Sequence, residues 1–260
     1  PLTDEYSQST ETGGQLLSTV AVAGVAVGNQ VGSGTGFSVG GACSSDVGCV
    51  AGIDDDRNLT RFGSGAAAID ASSDVSLVES GNVASLDVTW GRWEGDIVVD
   101  DGSSSETIDG SFSWAYSPNP TTSGQLDNYF QSNLGATNIT YNLAGGPSPY
   151  GLNDGDGWSV DTLFINLDVS SVGVGDIDPS DAVLTLTGMS NLNYENFSDT
   201  ATIDPDAGDT GFSLMLQGSN NPGDGVLEAG FVGDDAEGML IEFEVNDGGT
   251  EVISGVKILE

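Results

Sequence analysis

From residue 83 onward, apolar and polar residues alternate in short runs, and clusters of Gly, Asp, Asn and Pro separate the runs. The runs at 83–89, 93–99, 111–116, 138–143, 158–169, 182–187, 211–216, 226–232, 239–246 and 251–259 read as β-strands. In 239–246, Ile241, Phe243 and Val245 fall on one face and Leu240, Glu242 and Glu244 on the other. Leu163, Ile165, Leu167 and Val169 alternate with polar residues in the same way. The NDGG of 246–249 is a hairpin turn signal. Strands in this succession predict an all-β fold, an antiparallel up-and-down barrel or a strongly curved sheet of about 8–10 strands. Residues 125–132 predict one or two turns of helix between strands.

The first 80 residues have a different texture. Residues 1–14 are polar and without periodicity. Residues 15–31, QLLSTVAVAGVAVGNQV, carry no charge. As a strand, this stretch puts Val20, Val22, Gly24 and Ala26 on one face and Thr19, Ala21, Ala23, Val25 and Val27 on the other. Both faces are apolar, so both need cover. A glycine-rich tract and weak strands around 66–69 and 75–78 follow. The expected division is therefore an N-terminal segment over 1–80, comprising arm, apolar strand and glycine-rich part, and a barrel domain over 81–260.

Charge narrows the functional classes. The chain has 260 residues, 40 of them acidic and four basic, and no histidine, for a net charge of −36. That field repels nucleic acid and anionic membrane surfaces, so neither is an expected partner. No segment approaches the ~20 apolar residues of a membrane-spanning helix. Residues 16–27 lack the basic flank of a secretion signal and are expected in the mature protein. Cys43 and Cys49 suit a small disulfide loop, the alternative being two free thiols. A disulfide there implies export through an oxidising compartment.

One motif resembles a known family. GFVGDDAEGMLIEFEV at 230–245 is similar to the strand–turn–strand signature of the β-barrel in transferrin-binding-protein-B-like surface proteins. Gly230, Phe231, Gly233, Ala236 and Gly238 stand close to its expected places, and VISGVKIL at 252–259 looks like the closing strand. Segments 88–99, 122–126 and 141–151 are similar to those preceding such barrels in proteobacterial secreted proteins. The resemblance spans about 88–260 and implies a small eight-stranded barrel in a Gram-negative exported or surface protein. It leaves residues 15–31 outside.

Candidate chemistry is sparse. Without histidine, Ser–His–Asp and Cys–His arrangements are excluded, and no catalytic residues or enzymatic activity are expected. Asn153, Asp154 and Asp156 lie in a glycine-rich turn that would suit calcium, although Asp is also an ordinary turn residue. No other cofactor is expected. Trp90, Arg92 and Trp93 in WGRW could stack on a ligand. Alternatively, the two tryptophans face opposite sides of a strand and Arg92 bonds a carboxylate. Two readings of function remain. In the first, Leu17, Val20, Val22, Val25 and Val27 form a donated strand that joins copies of the chain into an extracellular filament. In the second, the chain is a monomeric secreted or surface barrel that binds a small ligand or a host protein. The layout of polar arm, uncharged strand and glycine tract favours the first.

Overall fold

The structure, a computed structural model, describes residues 3–4, 15–22, 36–38, 49–53, 59–64, 69–70, 75–100, 105–133, 138–151, 157–169, 178–188, 190–196, 203, 211–249 and 251–260. The chain begins with β1 (Thr3–Asp4), β2 (Gln15–Val22), β3 (Gly36–Ser38), β4 (Cys49–Ile53), β5 (Leu59–Ser64) and β6 (Ile69–Asp70). Long strands follow: β7 (Val75–Val83), β8 (Val88–Asp100) and β9 (Ser105–Ser117). The helix α1 (Ser123–Ser132) leads to β10 (Ile139–Gly145), β11 (Tyr150–Gly151), β12 (Ser159–Asp168), β13 (Asp178–Thr187) and β14 (Asn191–Asn196). The chain continues through β15 (Gly211–Gly218), β16 (Asp224–Val232), β17 (Gly238–Asn246) and β18 (Val252–Leu259). All strand pairings are antiparallel.

The all-β expectation holds. Strands β10 and β12 to β18 pair in succession, and β10 also pairs with β18, which closes an eight-stranded barrel. A six-stranded sheet, β1-β2-β9-β8-β7 with β3 on β2, and a three-stranded sheet, β4-β5-β6, complete the described architecture.

The barrel is filled by its own side chains. The alternation seen in the sequence turns Leu163, Ile165 and Leu167 inward with Leu184, Leu186, Tyr194, Leu214, Leu227, Phe231, Ile241, Phe243 and Val245. One end is plugged by α1. Its capping box has Thr122 Oγ1 accepting from Gln125 N–H (3.3 Å), while Gln125 Oε1 accepts from Thr122 N–H (2.9 Å). One turn apart on the same face, Leu126 and Phe130 enter the barrel, and the Phe130 ring meets Phe231 edge-on at 5.9 Å. Trp158, just before β12, is buried at the opposite end of the same core.

The six-stranded sheet lies against the outer wall. Leu240, Val256, Ile258 and Val232 leave the barrel's far face and pack with Val83, Leu86, Val88, Ala115 and Trp90. Leu240 on β17 and Val256 and Ile258 on β18 thus give that side of the wall a second, outer core.

The uncharged strand is where the structure corrects the sequence reading. β2 is not donated. It pairs with β9 over its whole length, from Gln15↔Ser117 to Val22↔Gly110. Its other edge is bonded to β1 and β3 of the same chain. Leu17, Val20 and Val22 therefore sit in an internal strand that also lies against β17 and β18. The two apolar faces needed cover, and the chain's own sheet takes this strand in, so no neighbouring subunit is required. Val25, Val27 and Cys43 fall outside the described residues, and so does any pairing of Cys43 with Cys49, which opens β4.

Other differences are local. The predicted break at 90–92 is absent, since β8 runs through it, and the chain turns instead at 84–87, inside the predicted strand 83–89. β14 was not predicted at all.

Two buried tyrosines give the fold a pH limit. Tyr141 Oη–H donates to Ala236 O (2.7 Å) and Tyr194 Oη–H to Asn246 O (2.7 Å). Desolvation by burial pushes both phenols above their usual range. A phenol that keeps its proton in the folded state favours folding less as pH rises past its unfolded value near ~10. Stability should therefore fall above about pH 10. Tyr141→Phe should cost about 1–2 kcal/mol in urea unfolding at pH 7 and shallow that alkaline decline.

Candidate functional site

The family-like motif at 230–245 is a docking point. Phe231 ends the inward row of β16, and the chain then turns through Gly233 (φ 93°) and Ala236 (φ 52°). Gly233 meets this left-handed requirement without a Cβ penalty, and Ala236 keeps its side chain small. The crossing segment from β9 to α1 binds here. Thr121 N–H donates to Phe231 O (3.1 Å), Gly233 N–H donates to Asn119 O (2.9 Å), and Thr121 Oγ1–H donates to Gly233 O (2.7 Å). The motif fastens the plugging helix to the barrel rim.

The other candidate, WGRW, lies where sheet and barrel meet. Trp90 and Trp93 are three residues apart in one unbroken strand and face opposite ways. Trp90 packs between the sheet and the barrel's outer wall. Trp93 stacks on Phe112 (5.2 Å, 21°) and tilts against Trp114. Arg92 is 3% exposed and faces the barrel. Its guanidinium is ion-paired with Glu94, lies 3.7 Å from Glu79, and sits 5.9 Å from the centre of the Tyr150 ring. Trp90 thus lies against the barrel's outer wall, and Arg92 is engaged by carboxylates and the Tyr150 ring.

Four residues that sequence reasoning passed over complete this junction: Glu79, Ser148, Tyr150 and Lys257. The segment GGPSPYG explains why they gather. β10 runs beside β18 to Gly145↔Ile258, and β11 resumes beside it at Tyr150↔Ser254. Residues 146–149 interrupt what would otherwise be one strand. Pro147 and Pro149 have no N–H to give a ladder, and Gly146 (φ 118°) turns where a Cβ would lie 2.6 Å from Val256 O. Side chains supply the missing bonds. Lys257 Nζ donates to Gly146 O (3.2 Å) and to Pro147 O. Ser148 donates through N–H (2.6 Å) and Oγ–H (2.7 Å) to the Glu79 carboxylate. Burial pushes the Lys257 ammonium down to about 8, and the nearby Glu79 charge works the other way. The signal in the sequence was a lone lysine on the inward register of an apolar strand, opposite Ile241.

Beside this segment the wall has an opening. β12 pairs with β10 only from Phe164 onward, so its first half has no partner there among the described residues. A cavity of about 370 Å³ results, lined among others by Leu143, Gly146, Ser148, Val160 and Lys257. Asn153, Asp154 and Asp156 lie outside the described residues. Among the described residues no group of His, Cys, Asp or Glu side chains is placed to hold a metal ion, and no helix is long and apolar enough to cross a membrane.

No protein-family model and no curated protein matches the chain. Solved structures do. The isotype 1 transferrin binding protein B of serogroup B Neisseria meningitidis is 13% identical, with a TM-score of 0.40 over 80% of this chain and 40% of that one. The N-lobe domain of lactoferrin binding protein B of Moraxella bovis is 12% identical, with a TM-score of 0.42 over 94% and 98%. A surface lipoprotein is 13% identical, with a TM-score of 0.42 over 94% and 98%. The chain thus spans about two fifths of the meningococcal protein and nearly all of the Moraxella lobe.

Proposed function

We propose that this chain is an extracellular or cell-surface β-barrel protein that binds a partner protein on its outside and performs no catalysis. The observation that carries this reading is the filled barrel. Buried side chains occupy its interior, with α1 at one end and Trp158 at the other. A barrel that carries a small ligand at its centre needs an internal cavity there, and here aromatic rings take the centre, while the cavity of about 370 Å³ beside residues 146–149 lies in the wall. Binding then falls to the outer surface. Among the described residues the large apolar side chains left exposed are Leu77 and Val78 on edge strand β7 and Met215 on the outer wall. Such side chains on an edge strand suit contact with another protein. The resemblance of 230–245 to surface barrels supports the same setting.

Cross-linking of the native protein in its own cells, followed by mass spectrometry, tests the proposal. A heterologous protein joined to the outer surface is the expected product. Transferrin and lactoferrin, the ligands in the names of the matched structures, are the first purified probes to try. Adducts between copies of the chain through residues 15–31 would overturn the reading in favour of self-assembly. A stoichiometric small molecule retained in native mass spectrometry would overturn it in favour of a carrier.

A further inference from the structure

We propose that residues 146–149 form a proton-linked strap, which closes the barrel wall against β18 and lifts away more readily when Lys257 is protonated. The strap lacks a backbone ladder. Its anchors are the Lys257 bonds to two carbonyls and the two Ser148 bonds to Glu79. A segment held by so few bonds opens at a free energy well below that of the whole fold. The cavity of about 370 Å³ beside it gives it somewhere to move. Release exposes the inner edge of β18 and widens the gap to the first half of β12.

The proton linkage follows from burial. Lys257 is 5% exposed, and its ammonium gives up water for two carbonyl oxygens. The charged and titratable groups around it are Glu79 from β7, Arg92 and Glu94 from β8, and Tyr150 from β11. Arg92 stands with Glu79 and Glu94, so Glu79 divides its charge between the two cations. With the strap closed, Lys257 holds its proton only up to about pH 8; with the strap lifted, water restores the usual value of 10.5. The open form therefore binds the proton more tightly. Opening is easiest below about pH 8 and becomes harder as pH rises toward 10. Between pH 7 and 9 the opening constant should fall about tenfold.

Amide hydrogen exchange of the full chain at pH 7, 8 and 9, corrected for intrinsic rates, reads this directly at Gly146, Ser148 and Tyr150. The expected result is a protection factor at Ser148 that rises about tenfold over that range while staying well below that of Leu184 in the barrel core, which opens only with the whole fold. In Lys257→Arg, a cation that does not titrate, protection should be independent of pH. In Lys257→Met it should be low and equally flat. Circular dichroism melting of both variants checks that the barrel is folded. A flat profile in the wild type, or an unchanged slope in Lys257→Arg, would overturn the proposal. So would protection at Ser148 as high as at Leu184, since that would mean the segment opens only with the whole fold.

Discussion

Replacing Phe231 with alanine is expected to lower the free energy of unfolding by about 3–5 kcal/mol. The ring is fully buried and sits at the meeting point of three others: Phe130 at 5.9 Å, Tyr141 at 6.0 Å and Phe212 at 6.0 Å. Each such pair adds to the area term through its edge-on or tilted geometry. Residue 231 also begins the turn that fastens the plugging helix, through its carbonyl and Thr121. Deleting the ring leaves a cavity between helix and barrel that the surrounding strands cannot collapse to fill. Urea unfolding followed by near-ultraviolet circular dichroism measures the loss. A change below about 1 kcal/mol would mean that the helix end is not the packed plug described above.

Arg92→Ala is the second large effect, expected at roughly 3 kcal/mol. The guanidinium is nearly sealed, and two carboxylates are arranged around it. Removing it leaves Glu79 and Glu94 facing each other beside a strand junction, where the remaining cation, Lys257, reaches only Glu79. Arg92→Lys should recover only part of the loss, because an ammonium lacks the planar fork that serves two carboxylates and an aromatic face together. Because Glu79 also grips Ser148, exchange at Ser148 should rise in Arg92→Ala. Unfolding in urea, compared at low and high salt, separates this buried pair from surface charge. An effect that vanishes in salt would place Arg92 on the surface instead.

The barrel was legible in the sequence wherever apolar and polar residues alternated strictly. The 239–246 run has Ile241, Phe243 and Val245 buried as expected. β14 escaped notice because Leu192 and Tyr194 are its only core side chains, and Asn191, Asn193 and Asn196 read as turn residues. β8 was split because Gly91 and Arg92 interrupt its apolar character, and only the carboxylates of Glu79 and Glu94 explain a buried arginine there. For β2, periodicity showed that both faces needed cover but could not say which chain supplies it. The junction around Lys257 was hidden for another reason. Its partners are backbone carbonyls released by two prolines, and those come together only when β10 and β11 are laid beside β18.

That position of β18 bears on how the chain folds. It is the final barrel strand in chain order, and it closes the ring with β10 more than a hundred residues upstream, as in Leu143↔Leu259. It also supplies Val256 and Ile258 to the contact with the six-stranded sheet. Closing a loop of that length has to be met in entropy before any contact rewards it. Until β18 arrives, β10 and β17 each present an unpaired edge and Leu240 on the outer face of β17 lacks its neighbours Val256 and Ile258. A chain still lacking β18 would leave those edges open, and the forty carboxylates distributed along the sequence would then favour its solubility.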